Sequence, residues 1–260
     1  MTVKSIRIIT FSPTHSSLNA AKAVASAFVC PVEVEDITTS WREPHSAPFS
    51  PDDLLIASVP VYGGRIPAFV EPYFRSLQGN GAIACPVVVY GNRAYEDALL
   101  ELSDILAEGG FLPVAGAVFV AEHSMTAKVA TGRPSKEELA KGKAFGEQLK
   151  EKLEKDDLSR PNVPGNRPYK ERKPGGGDPM FPATKENCIR CGVCAKGCPM
   201  QIISREDFRT ILAPESCIRC CACVKNCPVG AKHFDSPAFA ALQQMMEEKF
   251  VGANKPEFYL

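Results

Sequence analysis

Short apolar runs alternate with longer segments of helical periodicity through the first 155 residues. Strands are predicted over residues 5–11, 32–37, 53–59, 86–90 and 112–121, and helices over 18–28, 67–78, 95–108 and 135–155. Residues 53–59 are apolar through their middle, which is typical of a strand buried on both faces. Five strands with helices between them predict parallel strands joined by right-handed crossovers. Residues 1–155 are therefore predicted to form a doubly wound α/β sheet.

The pattern changes after residue 155, and three further regions follow. Ten of the 27 residues at 156–182 are Pro or Gly, a composition that buries little apolar surface and predicts a flexible linker. Cysteines then concentrate in a small domain at 183–236. Residues 237–260 are predicted to form a C-terminal helix and tail, with Ser236 as the helix cap.

The overall charge excludes some classes of partner. The 260 residues contain 30 basic and 30 acidic side chains, whereas a general nucleic-acid or anionic-membrane binder shows a basic excess. No apolar run approaches the roughly 18 residues needed to span a bilayer, and the first residues lack a signal-peptide pattern. We therefore expect a cytoplasmic protein that neither spans a membrane nor binds nucleic acid.

The cysteines form a repeat, and nine of the eleven lie between Cys188 and Cys227. The pattern C-x2-C-x2-C-x3-C-P occurs twice, 29 residues apart, at Cys188, Cys191, Cys194 and Cys198 and at Cys217, Cys220, Cys223 and Cys227. Three thiolates within seven residues can each bind one iron of a [4Fe-4S] cluster, and in the bacterial two-cluster arrangement the fourth cysteine ligates the other cluster. Cys227 is then predicted to complete the cluster of the first run, and Cys198 that of the second.

Zinc and disulfides are the alternatives to iron–sulfur clusters. A zinc site uses two close cysteine pairs separated by a longer loop, and a secreted disulfide scaffold spreads its cysteines along a short chain. Triplets followed by a distant fourth cysteine fit neither pattern. Cys221 is surplus and occupies the position of Gly192 in the first run, which predicts a small buried residue near a cluster or else a redox role.

This segment resembles the bacterial-type 2[4Fe-4S] ferredoxins. The resemblance implies a small, pseudo-symmetric α+β domain that transfers single electrons at low potential. The segment departs from a typical ferredoxin because its basic residues outnumber its acidic ones.

Three loops after predicted strands have residues suited to a phosphorylated, planar cofactor. Ligands of open α/β sheets bind at the carboxyl ends of the strands. The first loop, Ser12-Pro13-Thr14-His15-Ser16-Ser17, offers hydroxyls before a helix, which suits a phosphate or else a plain helix cap. The loop after the third strand contains Pro60, Val61, Tyr62, Gly63 and Gly64, and the loop after the fourth contains Asn92, Arg93 and Tyr95.

On these loops the first 150 residues resemble the flavodoxin family. The resemblance implies a five-stranded parallel sheet in the order 2-1-3-4-5 and noncovalently bound FMN. The first loop is similar to the family's T-x-T-G-N-T phosphate loop, with His15 in place of the glycine. The other two loops correspond to those that enclose the flavin ring. The whole chain resembles the fused flavodoxin–ferredoxin proteins, the EFR-type ferredoxins.

Two aromatic side chains have less certain predicted roles. His123, with Glu122, follows the fifth predicted strand, where a surface position is favoured over a place in a site. Trp41 lies in a proline-rich loop beside the expected flavin edge, where it either covers the ring or packs.

The leading functional hypothesis is an intracellular electron-transfer protein. Single electrons would pass between two [4Fe-4S] clusters, a bound FMN and external redox proteins. One alternative is a flavin-dependent reductase whose clusters supply electrons to a small acceptor. Another is a redox-sensing or partner-binding module whose α/β domain lacks flavin.

Overall fold

A computed structural model of the chain describes residues 1–43, 47–172 and 179–260. Part of the predicted linker, residues 173–178, lies outside the described residues. The first domain has the strands β1 (Ser5–Thr10), β2 (Val32–Asp36), β3 (Asp53–Pro60), β4 (Ile83–Tyr90), β5 (Leu112–Pro113) and β6 (Gly116–Val120). They are parallel, in the order β2-β1-β3-β4-β6. This is the flavodoxin-like topology, and the predicted fold is confirmed.

Helices cover both faces of this sheet. They are α1 (Ser16–Ala25), α2 (Glu71–Arg75), α3 (Ala98–Glu108) and α4 (Lys136–Glu154), with a 3-10 turn at Ala68–Val70. Helices α1 and α4 pack on one face, and α2 and α3 pack on the other. The contact between α1 and α4 depends on Gly146, where a Cβ would lie 2.3 Å from the carbonyl oxygen of Val24. Ser135 and Glu138 form a capping box at the start of α4.

Two elements of the first domain differ from their predicted extent. The helix predicted over 67–78 is a 3-10 turn followed by the short α2, because Pro72 is tolerated only in the first helical turn. The strand predicted over 112–121 is divided into β5 and β6, both paired with β4. Between the two paired segments, the three residues 114–116 lie opposite only two residues of β4, so the regular pairing is interrupted. One of these two residues, Pro86, has no N–H to donate to the ladder.

The cysteine-rich region forms a small domain with internal symmetry. Its elements are β7 (Pro182–Thr184), α5 (Val193–Lys196), a 3-10 turn at Pro214–Ser216, α6 (Ala222–Lys225) and β8 (Lys232–Phe234). Strands β7 and β8 pair antiparallel. Helices α5 and α6 begin after equivalent left-handed residues, Gly192 at φ 77° and Cys221 at φ 59°. The two cysteine runs are therefore two copies of one backbone unit.

The C-terminal segment returns to the first domain. Helix α7 (Pro237–Lys249) is capped by Ser236 as predicted, and it is followed by β9 (Glu257–Tyr259). Strand β9 pairs antiparallel with β6, with Gly116 opposite Tyr259. The prediction of a purely parallel five-stranded sheet was wrong in this respect, because the sheet has an additional antiparallel strand at its edge. A strand of three residues is too short to show a hydrophobic period in the sequence.

The described part of the segment between the two domains lies on α3. Arg160, Arg167 and Tyr169 all bond the carboxylate of Asp104, and Val163 is buried in the core. These side chains attach residues 160–169 to the first domain. Within the described residues, no helix is long and apolar enough to cross a membrane.

Candidate functional site

A large cavity of about 820 Å³ lies at the carboxyl ends of β1, β3, β4 and β6. Its volume falls within the range of roughly 300–1,000 Å³ for small-molecule and cofactor sites. Ten of the predicted flavin-site residues line it together: Ser12, Thr14, Ser16, Ser17, Pro60, Val61, Tyr62, Gly63, Gly64 and Arg93. We call this space the large cavity.

The first loop forms a tight turn at His15. His15 adopts φ 65° and precedes α1, which begins without a side-chain cap. The Ser12 hydroxyl instead accepts the Leu18 N–H at 3.0 Å, and the Ser12 N–H donates to Thr38 Oγ1 at 2.8 Å. Uncapped N–H groups at a helix start favour an anion. His15 itself is exposed and does not line the large cavity.

The second loop places an aromatic ring between the large cavity and the cysteine-rich domain. Tyr62 lines the cavity, and burial raises the pKa of its hydroxyl well above the usual range, with a further contribution from the neighbouring Cys220 and Cys221. Gly64 adopts φ 92°, and a Cβ there would lie 1.6 Å from a carboxylate oxygen of Glu96. Glycine is therefore required at this position.

Asn92 and Tyr95, two predicted flavin-site residues, hold the C-terminal segment and do not line the large cavity. Asn92 Nδ2 donates to the carbonyl oxygens of Phe250 and Gly252, both at 2.7 Å. Asn254 Nδ2 donates back to the Asn92 carbonyl at 2.8 Å. The Tyr95 hydroxyl bonds Glu257 at 2.8 Å.

Several residues that line the large cavity were not predicted as site residues. Besides Glu122 and His123, they include residues of the inter-domain segment and of the C-terminal segment, namely Lys170, Arg172, Leu242, Met245, Met246 and Phe250. The favoured surface position for His123 was wrong, because its ring is half-buried at the cavity. His123 Nδ1 accepts the Met125 N–H at 3.2 Å, and burial lowers the pKa of the imidazole. Its position directly after a predicted strand was the only feature of the sequence that indicated a place in the site.

The cysteine-rich domain is held against the mouth of the large cavity. Lys225 forms an ion pair with Glu122, and Asn226 Nδ2 donates to the Pro13 carbonyl at 3.2 Å. On another side Trp41 Nε1 donates to the Pro199 carbonyl at 2.9 Å, while its ring packs on Phe69. Trp41 does not line the large cavity. Of its two predicted roles, it therefore has the packing role.

The eight repeated cysteines surround two further cavities. Cys188, Cys191, Cys194 and Cys227 line one of them, which we call the outer cysteine cavity. Cys198, Cys217, Cys220 and Cys223 line the other, the inner cysteine cavity. Each cavity thus combines three cysteines of one run with the fourth of the other run.

The donor set around each cysteine cavity fits a [4Fe-4S] cluster, which takes four thiolates. Burial raises the pKa of Cys217 and Cys223, and raises that of Cys220 to about 12. Thiols in such surroundings lose their protons to a bound metal. Among the described residues, no group of three or more His, Cys, Asp or Glu side chains could hold a single metal ion. Cys221 is buried and lines the inner cavity, in agreement with a small residue near a cluster.

The large cavity and the inner cysteine cavity share part of their walls. Ile218 and Cys220 line both of them. A cysteine of the inner cavity therefore also lines the large cavity, whereas none of the outer cysteines does.

Residues 187–232 match the family model of the 4Fe-4S dicluster domain. No curated protein matches the chain. The flavodoxin of Streptococcus pneumonia TIGR4 is 17% identical, with 58% of this chain and 99% of that chain covered and a TM-score of 0.38. Oxidised flavodoxin 1 from Bacillus cereus is 17% identical, with coverage of 55% and 95% and a TM-score of 0.41. Rubredoxin oxygen:oxidoreductase from the anaerobe Desulfovibrio gigas is 15% identical, with coverage of 61% and 37% and a TM-score of 0.40.

A flavodoxin-like fold, established by the strand order, and a 4Fe-4S dicluster domain are therefore joined in one chain. This combination is consistent with a flavodoxin–ferredoxin fusion.

Proposed function

We propose that the chain transfers single electrons between an FMN in the large cavity, two [4Fe-4S] clusters in the cysteine cavities, and external redox proteins. FMN supplies one- and two-electron chemistry, and the clusters supply one-electron chemistry. The chain's own residues bind these groups, hold them close together and exclude water from the space between them.

The observation that carries the proposal is the shared wall of two cavities. Cys220 and Ile218 line both the large cavity and the inner cysteine cavity. Groups bound in these two spaces would both lie against these two residues. This proximity supports direct exchange of electrons between them.

The first loop and the loop after β3 support FMN as the occupant of the large cavity. The N–H groups of the first turn of α1, where His15 makes no capping bond, suit a phosphate together with the hydroxyls of Ser12 and Ser16. Tyr62 and the backbone of Gly63 and Gly64 suit a flat ring system.

The outer cysteine cavity suits exchange with an external protein. Cys191 is exposed, and Ile189 and Val193, which line the same cavity, are 60% and 40% exposed. Exposed apolar side chains beside a ligand allow a partner to approach closely.

We place the protein in the cytoplasm, where thiols remain reduced.

Metal and flavin analysis of protein purified without oxygen tests the composition. We expect about eight irons, matching sulfide and one FMN per chain. Zinc in place of iron, or a single cluster, would contradict the cluster assignment. Absence of flavin absorbance near 450 nm after FMN is added would instead favour a sensing or partner-binding module.

Replacing Cys220 with serine tests the shared wall. We expect Cys220→Ser to lose the inner cluster and to slow electron exchange between the flavin and the remaining cluster at least tenfold. Cys30→Ser is the matched control, because Cys30 lines none of the three cavities. Equal exchange rates in the two variants would contradict the proposed route.

A second candidate function, a flavin-dependent reductase, is favoured by His123. Because Nδ1 accepts the Met125 N–H, the neutral ring carries its proton on Nε2, available to an acceptor in the cavity. Steady-state reduction of an added quinone that falls in His123→Gln, with unchanged iron and flavin content, would support this function. No turnover in the wild-type protein would reject it.

A further inference from the structure

We propose that Lys232 makes the outer cysteine cavity the more favourable place for an added electron, so that its cluster has the higher reduction potential. This inference rests on the proposed function, because it requires a cluster in each cavity. It adds that the two clusters are unequal and that Lys232 sets the difference.

The internal repeat identifies the asymmetry. At the shift of 29 residues that relates the two cysteine runs, Lys232 corresponds to Ile203. Both side chains are buried, with 3% and 2% of their surface exposed. Lys232 lines the outer cysteine cavity and Ile203 lines the inner one. One cavity therefore has a buried ammonium where the other has a hydrocarbon.

Within the described parts of the chain, the hydrogen bonds of Lys232 go to uncharged partners and no acidic side chain pairs with it. Nζ donates to Thr184 Oγ1 at 2.6 Å and to the Arg209 carbonyl at 3.4 Å. Both acceptors are neutral oxygens, and a buried charge is costly unless it is paired. A cluster with four thiolates is negatively charged and becomes more so on reduction. Such a cluster in the outer cavity compensates Lys232, and does so better when reduced.

Other groups around the two cavities act in the same direction. In the outer cavity, the Ala231 N–H donates to Cys227 Sγ, with 3.2 Å between nitrogen and sulfur. Cys191 of the outer cavity is exposed, whereas none of the four cysteines of the inner cavity is. Hydrogen bonds to sulfur and solvent exposure raise cluster potentials, and burial lowers them.

The inequality gives single electrons a preferred direction. An electron that leaves the inner cavity oxidises its cluster, and its arrival in the outer cavity reduces the cluster there. No bond is formed or broken and no proton moves. The favoured transfer therefore runs from beside the large cavity to the exposed face of the cysteine-rich domain.

Lys232→Met tests the proposal in the full-length protein loaded with iron and FMN. In a redox titration followed by electron paramagnetic resonance, one cluster should become harder to reduce. At a fixed potential, we expect the ratio of reduced to oxidised cluster to fall at least tenfold. For one electron this corresponds to a reduction potential lowered by about 59 mV. The other cluster should change much less.

Two further variants separate charge from packing. Lys196→Met removes an exposed lysine within the first cysteine run, and solvent screening should leave both potentials nearly unchanged. Lys232→Arg keeps the charge and should keep the wild-type potential. Equal shifts in Lys232→Met and Lys196→Met, or equal shifts of both clusters, would overturn the proposal.

The wild-type protein provides a measurement that does not depend on the folding of Lys232→Met. We expect two reduction steps at least 59 mV apart, with the less negative step altered in Cys191→Ser, which changes a ligand of the outer cavity only. Coincident steps, or alteration of the more negative step, would overturn the inference. Absence of clusters would instead overturn the proposed function.

Discussion

At the residue scale, His15 is the most informative departure from the flavodoxin-type loop. A residue with a side chain adopts the left-handed conformation at φ 65°, at a cost of about 1 kcal/mol. Histidine is among the residues that tolerate this region better than most. The tight turn of the first loop is therefore compatible with histidine at this position.

Substitutions at His15 test this account of the turn. His15→Gly removes the steric cost and should leave the unfolding free energy within about 1 kcal/mol of wild type, with FMN binding retained. His15→Val places a β-branched residue at the same φ and should destabilise by more than about 1 kcal/mol. Denaturant unfolding and flavin titration measure both effects. Equal stability of the two variants would contradict a left-handed His15.

His123 should make the stability depend on pH. Burial, together with the nearby Lys225 charge, lowers its pKa from the usual 6.5. The unfolded chain then takes up the proton first, so this contribution to stability is full above pH 6.5 and falls as the pH drops below it. His123→Gln should therefore lose less unfolding free energy than wild type between pH 7 and 5. An identical loss in both proteins would argue against a buried His123.

At the element scale, the C-terminal segment completes the first domain. Strand β9 extends the sheet, and α7 contributes Leu242, Met245 and Met246 to the wall of the large cavity. Asn92 holds this segment through four hydrogen bonds, two to the carbonyls of Phe250 and Gly252 and two from the Asn254 amide. A side chain at the end of a parallel strand thus fixes an element more than 150 residues away in sequence.

Removing the Asn92 amide should loosen this segment. Asn92→Gly keeps the φ of 63° accessible but loses two donated hydrogen bonds, at about 1 kcal/mol each. We expect a destabilisation of about 2 kcal/mol and faster proteolysis within residues 237–260. Asn92→Ala should cost more, because alanine is strained at positive φ. Unchanged proteolysis in both variants would show that β9 alone holds the segment.

At the scale of the whole molecule, the two domains and the inter-domain segment together enclose the large cavity. The α/β domain supplies the loops, the inter-domain segment supplies Lys170 and Arg172, and the cysteine-rich domain supplies Ile218 and Cys220. The ion pair between Lys225 and Glu122 lies at this junction. Function is therefore expected to depend on domain contact as well as on each domain.

Reversing one charge at the junction tests this dependence. Lys225→Glu faces Glu122 with a like charge, and a partly exposed pair contributes up to about 1 kcal/mol. Electron exchange between flavin and clusters should slow by up to about fivefold, more at low salt than at high salt. Adding Glu122→Lys should restore the rate. A slow rate that the double variant does not restore would show that the pair does not hold the domains.

The sequence by itself determined most elements of the first domain and the grouping of the eight repeated cysteines into two sets. The period of apolar residues predicts strands and helices because burial follows the local geometry of the backbone. The cysteine spacing predicts which sulfurs meet because a cluster accepts ligands only at set separations. The composition of the two cysteine cavities follows from this spacing, whereas the order of the strands in the sheet was implied by the resemblance to the flavodoxin family.

Only the tertiary structure decided which side chains enclose the large cavity. Asn92 and Tyr95 bind the C-terminal segment, while Met246 and Arg172 reach the cavity from distant parts of the chain. The tertiary structure also decided that Cys220 and not Cys191 lines the large cavity, and that Lys232 is buried at the outer cysteine cavity. These are contacts between residues far apart in sequence, and they depend on how whole elements pack, which no local spacing encodes.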